Sequence, residues 1–451
     1  MLRSGQAIAL CALALLMVGV VMVNSASMSV SPIGPQGRAG EDQVVTGASI
    51  LLSRASLYML LAVGAMACCA ALPVRRLAQA FVPGGDGRAD HPLAGLGVLA
   101  LGTLALLACL AAVYIPGLSR EVNGSTRWIG LTIPGFGLLS VQPSEIAKWA
   151  LPALLAVVAA ARARWMPTLL LGMVPMTLAL GAVASFVVLE DFGTAALMGA
   201  AGAAVLLAGG VRLLHLALLA PLAGIGLVGA LVHSPYRVQR LVSFADPWAD
   251  PQGAGYHMIQ SLQTVAGGEL WGRGLGHGLQ KFGYLPEDTT DFLFAVICEE
   301  LGVIGAGVVI ALQAALVLAI YSVVRRELLA PCRLFALGVL ATLGGQAAIN
   351  LAVVTGLGPT KGIALPLVSA GGTGWILTCA ALGLVIAIAR TQPEPVAEPL
   401  AEHEDEDEAA EDRLHTPRPV ASRSRRPSFD DDEDDPVSAP EVFRRDRASA
   451  W

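Results

Sequence analysis

The sequence predicts an all-α polytopic membrane protein with about ten transmembrane helices and a large extracytoplasmic loop between the seventh and eighth. Of its 451 residues, 55% are apolar and 14% are charged, which is too little charge for the surface of a soluble protein of this length. Apolar stretches of about 18 residues or more recur, each long enough to cross about 30 Å of hydrocarbon as a helix. Arginines recur in alternate connecting loops, as expected of a chain that crosses a membrane repeatedly.

Ten apolar stretches account for the predicted spans. They cover residues 5–24, 48–73, 92–116, 144–162, 166–189, 193–211, 213–233, 291–323, 334–356 and 367–390. The sixth and seventh nearly merge, so they could form one longer segment. The first stretch follows Arg3 and ends at small residues 25–27, which also fits a cleaved signal peptide, although its apolar run is long for one.

The arginines define the predicted orientation. Those near span ends follow the second, fourth, sixth and eighth spans or end the tenth: Arg75, Arg76, Arg88, Arg162, Arg164, Arg212, Arg325, Arg326, Arg333 and Arg390. Positive residues favour the cytoplasmic side. Both termini are therefore predicted to be cytoplasmic, and the long loop of residues 234–290, with an amphipathic helix around residues 258–265, is predicted to be extracytoplasmic.

Charge separates the spanning region, residues 1–390, from a tail of residues 391–451. The tail has 18 acidic residues and 8 arginines, a balance of −10; the whole chain is −6, so the spanning region is about +4. Acidic runs mixed with Pro and Ser bury too little apolar surface to fold. We expect a disordered cytoplasmic tail that is either simply solvated or docks a partner.

Two classes of site are not supported by the motifs. The seven cysteines include neither a CxxC pair nor a Cys/His cluster, so neither a structural metal site nor a disulfide framework is predicted. The glycine-spaced stretch of residues 272–278 follows no predicted strand and precedes no Lys-Ser/Thr pair, which argues against a nucleotide-binding loop.

Polar residues that are costly in a bilayer collect near the predicted outer side. Glu145 and Lys148 lie three residues apart at the start of the fourth span and share a helical face. A plain ion pair at the helix end is the alternative to a functional role. Asp191, which precedes the sixth span, could cap that helix, and Asp291, which opens the eighth, fits either a helix cap or a catalytic carboxylate.

Two further observations bear on these positions. Glu299 and Glu300 lie about two turns deeper in the eighth span and need a cation, a hydrogen-bond network or a water-filled cavity. Of the 29 basic residues, the only lysines are Lys148, Lys281 and Lys361, all in the predicted outer half. A compact ammonium suits a phosphate group; chance placement is the alternative.

Four blocks of sequence resemble the SEDS family (shape, elongation, division and sporulation) between about residues 48 and 390. They are residues 127–129 (RWI) with 142–148 (QPSEIAK); residues 191–194 (DFGT); residues 285–302, which contain LPE, DFLFA and EELG; and residues 359–372, which contain PTKG, LPLVS and GG. The PTKG segment and the DPW segment of residues 246–248 resemble the division branch of the family more than the elongation branch.

The resemblance implies a SEDS fold of ten helices and a peptidoglycan glycosyltransferase that polymerises lipid II outside the bacterial cytoplasmic membrane during cell division. By similarity Asp291 is the catalytic residue, and its carboxylate is able to accept the proton of the attacking sugar hydroxyl. The assigned substrate-binding residues, which face lipid II and its pyrophosphate, are Arg127, Glu145, Lys148, Lys361 and Ser369. The assigned supporting polar residues are Asp191, Glu287, Glu299, Glu300, Gln346 and Asn350.

The implied partners are lipid II, a class B penicillin-binding transpeptidase, other division proteins and membrane lipids, with no nucleic acid among them. No cofactor is certain; Mg²⁺ or another divalent cation is a candidate, because phosphate-linked Mg²⁺ is commonly held by one or two carboxylates. The competing functions are a lipid II flippase, in which polar residues would line a path, and a non-catalytic division scaffold. The scaffold would suit the departures from the family pattern at Thr289, Cys298, Ala370, Thr373 and Gly374.

Overall fold

A computed structural model describes residues 3–27, 53–80, 91, 93–122, 125–133, 137–279 and 284–392. The helices within these ranges are α1 (Ser4–Ala26), α2 (Arg54–Ala71), α3 (Val74–Ala80), α4 (Leu96–Ala111), α5 (Pro143–Ala161), α6 (Val174–Glu190), α7 (Phe192–Ala208), α8 (Leu213–Val232), α9 (Pro235–Ala245), α10 (Tyr256–Gly267), α11 (Leu293–Arg326), α12 (Ala330–Val354) and α13 (Thr373–Arg390). A π-helical turn, Leu169–Met173, precedes α6, and short 3₁₀ helices cover Ala112–Tyr114 and Pro247–Ala249. Nine of the described segments are long and apolar enough to cross a membrane, and the apolar helix α7 is 17 residues long.

The ten predicted spans coincide with α1, α2, α4, α5, α6, α7, α8, α11, α12 and α13 in order. The predicted polytopic helical fold is therefore confirmed, with the sixth and seventh spans as separate helices. They are separate because Gly210, with φ +104°, interrupts the helical backbone between them. Residues 393–451, which make up nearly all of the predicted tail, lie outside the described residues. The start of the second predicted span, at residue 48, also lies outside them.

The tenth span begins later than predicted. Residues 357–372 form an irregular segment that enters the bundle before α13 begins at Thr373. Two backbone conformations explain the delay, because Leu367 has φ +64° and Gly372 has φ +46°, and neither is compatible with a right-handed helix. Most of the apolar residues 363–368 are buried, and they belong to this loop rather than to a helix.

A small antiparallel sheet follows α4 and was not predicted. Its strands are β1 (Ser119–Val122), β2 (Ser125–Ile133) and β3 (Gly137–Val141), in the order β1-β2-β3. Ser119 pairs with Ile129, and Ile129 pairs with Val141 on the other side. The sheet carries Arg127 and ends just before α5, so it brings a basic side chain to the start of that helix.

Helix α12 is the centre of the bundle and contacts α5, α7 and α11. Two further pairs, α2 with α13 and α1 with α11, complete the packing on the other side. Helix α11 is broken at Gly302, where φ is +67° and ψ is −168°. The break divides α11 into an outer segment, residues 293–301, and a long segment that runs to Arg326.

Two of the predicted cytoplasmic arginines, Arg75 and Arg390, lie at the end of the bundle opposite Asp291. The buried carboxylate of Glu327, in the turn between α11 and α12, pairs with Arg75 at 2.8 Å. Gln392 donates to Glu327 at 3.3 Å, and Arg390 donates to the carbonyl of Ala70 at 3.2 Å. The alternation of loops predicted from the arginines is consistent with this arrangement.

Candidate active site

Asp291 lies just before α11, in a turn whose backbone is tightly determined. The amides of Thr290 and Phe292 both donate to the carbonyl of Glu287 at 3.2 Å, and Glu287 itself has φ +55°. The side-chain amide of Asn350, on α12, donates to the carbonyl of Asp291 at 2.8 Å. These bonds hold the carboxyl group at the mouth of the bundle, two residues before the outer segment of α11 begins.

The Asp291 carboxyl group has a pKa close to neutral pH. Its pKa is raised to about 7, mainly by burial and then by the negative charges of Glu287 and Asp191, while Arg240 and Arg127 act in the opposite direction. Desolvation and like charge both disfavour the ionised form of a carboxyl group. A carboxylate with this pKa is suited to accept and release a proton near pH 7.

Asp191 and Arg127 line a cleft next to this carboxyl group. Asp191 caps α7, because its carboxylate accepts from the amide of Thr194 at 3.0 Å and from the Thr194 hydroxyl at 2.7 Å. The guanidinium of Arg127, 35% exposed, lies 4.0 Å from Asp191 Oδ2. The cleft is lined by Leu110, Val113, Tyr114, Arg127, Ser144, Phe186, Val187, Glu190 and Asp191.

Lys361 approaches the same region from the loop before α13. Its ammonium lies over the ring of Phe192, 5.0 Å from the ring centre. Burial lowers the pKa of Lys361, and the nearby Asp191 opposes that change. The backbone of the loop passes close to Asp291, because a Cβ atom added at Gly362 would lie 3.1 Å from Asp291 Oδ2. Lys361 and Asp291 are thus on adjoining segments, whereas Lys281 lies outside the described residues.

Glu145 and Lys148 form a separate, more deeply buried group. The Lys148 ammonium is 2% exposed, 2.7 Å from Glu145 Oε2, and donates to Gln346 Oε1 at 3.0 Å. Gln346 in turn donates to the carbonyl of Ala364 at 2.8 Å. The predicted ion pair is therefore present, and it links α5 and α12 to the loop before α13.

Ser369 is buried within that loop, where its hydroxyl accepts a bond from the amide of Leu365 at 2.9 Å. Its carbonyl accepts from the indole of Trp375 at 2.7 Å. These contacts give Ser369 a role in fixing the loop conformation, and its role in substrate binding stays a prediction.

Glu299 and Glu300 point away from the cleft and toward the extracytoplasmic loop. Both are buried, and their carboxylates accept bonds from backbone amides of residues 276–279. Of the three environments expected for them, the structure provides a hydrogen-bond network for both and a cation, Arg273, for Glu299. The same bonds occupy amides of the glycine-spaced stretch, which explains why it does not form an open phosphate-binding loop.

Sequence reasoning did not select Arg240 on α9, whose charge acts on Asp291, or His257 on α10, which lies beside Phe292. Arg240 donates to the carbonyl of Thr360 at 3.3 Å and stacks on Tyr236. The ring of His257 lies 6.2 Å from that of Phe292, and burial together with Arg240 lowers the pKa of this histidine. The signal for Arg240 was its position in an amphipathic segment that also carries Arg237, but only the packing of α9 shows which arginine faces the cleft.

The described residues include no group of three or more His, Cys, Asp or Glu side chains that could hold a metal ion by themselves. Asp191 and Glu287 lie close enough to Asp291 for their charges to raise its pKa. A divalent ion at Asp191 would therefore have to take most of its ligands from a substrate phosphate and water.

Comparison with known proteins gives a consistent result. The family model FTSW_RODA_SPOVE, described as cell cycle protein, matches residues 6–394. A probable peptidoglycan glycosyltransferase FtsW from Nitrosococcus halophilus is 38% identical over 383 residues, which are 84% of this chain and 90% of that protein. Stage V sporulation protein E from Bacillus subtilis is 38% identical over 288 residues, 62% of this chain and 76% of that protein.

Solved structures share the fold. A chain of a peptidoglycan synthase complex, described as coordinating polymerization and crosslinking, superposes with a TM-score of 0.61 and 26% identity, and the match covers 86% of this chain and 98% of that one. The rod shape determining protein RodA of Thermus thermophilus superposes with a TM-score of 0.53 and 22% identity, covering 86% and 97% of the two chains. The second likeness concerns the fold alone.

Proposed function

The chain belongs to the FtsW, RodA and SpoVE family of cell cycle proteins, and from this membership and the cluster around Asp291 we propose that it polymerises lipid II at the outer face of the bacterial cytoplasmic membrane during division. It is a multi-pass membrane protein and a peptidoglycan glycosyltransferase. Both termini are then cytoplasmic, in agreement with the arginine-rich alternate loops.

Asp291 acts as the general base in this proposal. A sugar hydroxyl of an incoming lipid II attacks the anomeric carbon of the growing glycan, and the hydroxyl proton passes to the Asp291 carboxylate. The new glycosidic bond forms as the bond from the anomeric carbon to the pyrophosphate oxygen breaks, and undecaprenyl pyrophosphate leaves with the electron pair. A positioned base of this kind contributes about 10²–10⁴-fold to the rate.

Besides a base, the reaction needs positive charge, because the leaving pyrophosphate gathers negative charge. Arg127, Arg240 and Lys361 reach the region of Asp291 and Asp191 from three different segments. Preorganised positive groups stabilise such a charge more effectively than water does. Lys148 is buried against Glu145. We propose that it acts indirectly, because it binds Gln346, which in turn holds the loop that carries Lys361.

A divalent cation is a further part of the proposal. Asp191 would hold it together with pyrophosphate oxygens and water, and it would neutralise part of the leaving-group charge, while Asp291 remains available as the base. We expect polymerisation to stop in excess EDTA and to return when Mg²⁺ is added back. Full activity after exhaustive chelation would show that protein cations alone are sufficient.

The partner proposed for the chain is a class B penicillin-binding transpeptidase, because a related chain is part of a peptidoglycan synthase complex described as coordinating polymerization and crosslinking. A partner that crosslinks the product would receive glycan as it leaves the outer face.

The polar residues on α12 favour polymerisation over lipid translocation. Thr342, Gln346 and Asn350 follow one another at intervals of four along one face of this helix. Toward the predicted cytoplasmic end, the described buried residues of α12 are almost all apolar: Pro331, Cys332, Leu334, Phe335, Ala336, Gly338 and Val339. A flippase path would need polar lining through both halves of the membrane.

The experiment that tests the function is Asp291→Asn in purified protein, measured with and without the transpeptidase. Loss of lipid II polymerisation by about 10²-fold or more is expected, while partner binding is retained. A matched control is Asp246→Asn, which alters an exposed carboxylate of the same extracytoplasmic loop. Normal glycan synthesis by Asp291→Asn would exclude Asp291 as the base, and translocation in liposomes without polymerisation would favour a flippase.

Loss of activity in this variant is not expected to reflect unfolding. The folded-state pKa of Asp291, about 7, is above the value of about 4 in an unfolded chain. Charging this group therefore lowers the stability of the parent protein as the pH rises from about 4 to about 7. Asp291→Asn removes that loss, so at pH 8 its melting temperature should equal or exceed that of the parent.

A further inference from the structure

The break in α11 leaves backbone groups that need partners. At Gly302 the chain leaves the helical conformation, so the last carbonyls of the outer segment and the first amides of the long segment lose their partners within the helix. Unpaired backbone groups inside a bundle are costly. A neighbouring segment must supply the missing bonds.

Residues 268–279, which we name the splice loop, supply them on both sides of the break. The amides of Arg273 and Gly274 donate to the carbonyls of Glu299 and Glu300, each at 2.9 Å. The amide of Val303 donates to the carbonyl of Glu269 at 3.0 Å. The loop thus joins the two segments of α11 through main-chain bonds.

Glycine is required where the splice loop meets the helix. A Cβ atom at Gly268 would lie 1.8 Å from the carbonyl oxygen of Cys298, and one at Gly272 would lie 2.2 Å from that of Glu300. Gly272 and Gly302 also have φ values of +77° and +67°, which favour glycine. The two backbones therefore approach at a distance that no side chain permits.

The carboxylates of Glu299 and Glu300 hold the far end of the loop. Glu300 accepts from the amides of Gly276 and Gly278 at 3.1 and 3.4 Å, and from the hydroxyl of Ser25, on α1, at 2.6 Å. Glu299 accepts from the amide of Leu279 at 2.9 Å. The guanidinium of Arg273 lies 3.6 Å from Glu299. Burying two adjacent carboxylates is tolerable only with such partners.

The opposite end of the outer segment is held by the same stretch of chain. Helix α10, which leads into the splice loop, packs against α11, and its His257 ring lies beside Phe292. Residues 256–279 therefore contact the chain at Phe292, next to Asp291, and again at the break of α11.

We propose that Glu299 and Glu300 are positioning residues, which hold the splice loop in the break of α11 and thereby fix the outer segment that directly follows Asp291. Without these carboxylates Gly302 would act as a hinge, and the outer segment would move relative to the loop that carries Lys361. The link to catalysis rests on the proposed function of Asp291, whereas the link between the splice loop and the outer segment does not.

The test is Glu300→Gln, which keeps the side-chain size but removes the charge and one acceptor oxygen. Hydrogen exchange at the amides of residues 273–279 should become about tenfold faster or more. The kcat for lipid II polymerisation should fall by about 10²-fold, because a small misplacement of a catalytic group costs that much, with KM changed less than about twofold. Gly278→Ala, which adds a methyl group 3.0 Å from both carboxylates, should act in the same direction and provides a second variant.

Glu327→Gln is the matched control. It neutralises another fully buried carboxylate near the cytoplasmic end of the same helix, so it measures the effect of a general loss of stability. It should leave both the kcat and the exchange of residues 273–279 near those of the parent. A released splice loop with an unchanged kcat, or equal effects of Glu300→Gln and Glu327→Gln, would overturn the proposal.

The two proposals fail in different ways. If the parent protein itself makes no glycan, the proposed function fails, and amide exchange at residues 291–297 still decides the positioning role. Faster exchange there in Glu300→Gln than in Glu327→Gln supports the coupling; equal exchange contradicts it.

Discussion

Asp291 combines two properties that a base in this reaction needs. Its carboxyl group has a pKa of about 7, so it binds a proton readily and still loses it near neutral pH. Its neighbours set that value in opposite directions, since burial, Glu287 and Asp191 raise the pKa and Arg240 and Arg127 lower it. The balance makes the activity sensitive to single charges around the cleft.

The pH dependence of polymerisation tests this balance at the level of single residues. A base must be deprotonated to act, so kcat/KM should be low at acid pH and should rise with pH through about 7. Glu287→Gln removes a negative charge and should move the acid limb to lower pH; Arg240→Gln removes a positive charge and should move it to higher pH. Profiles recorded with lipid II at constant ionic strength would measure both shifts.

Asp246→Asn serves as the control for this pair, because Asp246 only caps a short helix in the loop. Its profile should match that of the parent. Shifts in the same direction for Glu287→Gln and Arg240→Gln would mean that a different group governs the acid limb.

At the scale of elements, side-chain amides allow an irregular loop to enter a helical bundle. Asn350 donates to the carbonyl of Ile363 at 2.7 Å and Gln346 to that of Ala364 at 2.8 Å. Gln313, on α11, donates to the carbonyl of Pro366 at 2.7 Å. Irregular backbone away from water is tolerated where other groups satisfy its carbonyls. The side-chain amides of α11 and α12 therefore fix the segment that follows Lys361.

Variants of two of these amides distinguish an effect on stability from an effect on the position of Asp291. Asn350→Leu frees two carbonyls, those of Ile363 and Asp291, and Gln313→Leu frees one. Leaving a buried acceptor unsatisfied costs about 1–3 kcal/mol, so both variants should lose stability. Only Asn350→Leu breaks a bond to Asp291, so only it should reduce kcat at a temperature where both variants are folded.

Thermal unfolding in detergent and initial rates of polymerisation would measure the two effects. A kcat loss in Gln313→Leu as large as that in Asn350→Leu would show that the loop as a whole, rather than its link to Asp291, governs the rate.

At the scale of the whole molecule, ionisable groups occupy the two ends of the bundle in different ways. The outer end gathers cations and carboxylates around an accessible cleft. The opposite end is closed by Glu327, which binds Arg75 and Gln392, and Arg75 also donates to Thr391 at 2.8 Å. The last two described residues of the chain are thus part of the packed structure.

Two truncations test where the folded region ends. Deleting residues 393–451 should leave the melting temperature unchanged, because the bonds of Thr391 and Gln392 remain. Deleting residues 391–451 removes them and should lower the melting temperature by roughly 2–4 °C for each kcal/mol lost. Equal melting temperatures for the two truncations would show that these contacts add no net stability.

Much of the architecture was predictable because a bilayer imposes length and polarity on each element. All ten spans were located from apolar runs, and the ion pair of Glu145 with Lys148 followed from helical spacing. The sheet of β1–β3 and the loop before α13 were missed, since both contain apolar residues whose periodicity does not distinguish a strand or a loop from a helix. Arg240 was missed because its relevance depends on how α9 packs.

The sequence by itself determined the class of protein and the order of its spans, because those follow from local composition and from motifs within a few residues. Only the tertiary structure decided which polar groups meet. It separated Glu299 and Glu300 from the cleft, and it brought Arg240 toward Asp291. Contacts between distant segments depend on the break at Gly302 and on packing across the bundle, and neither can be read from hydropathy.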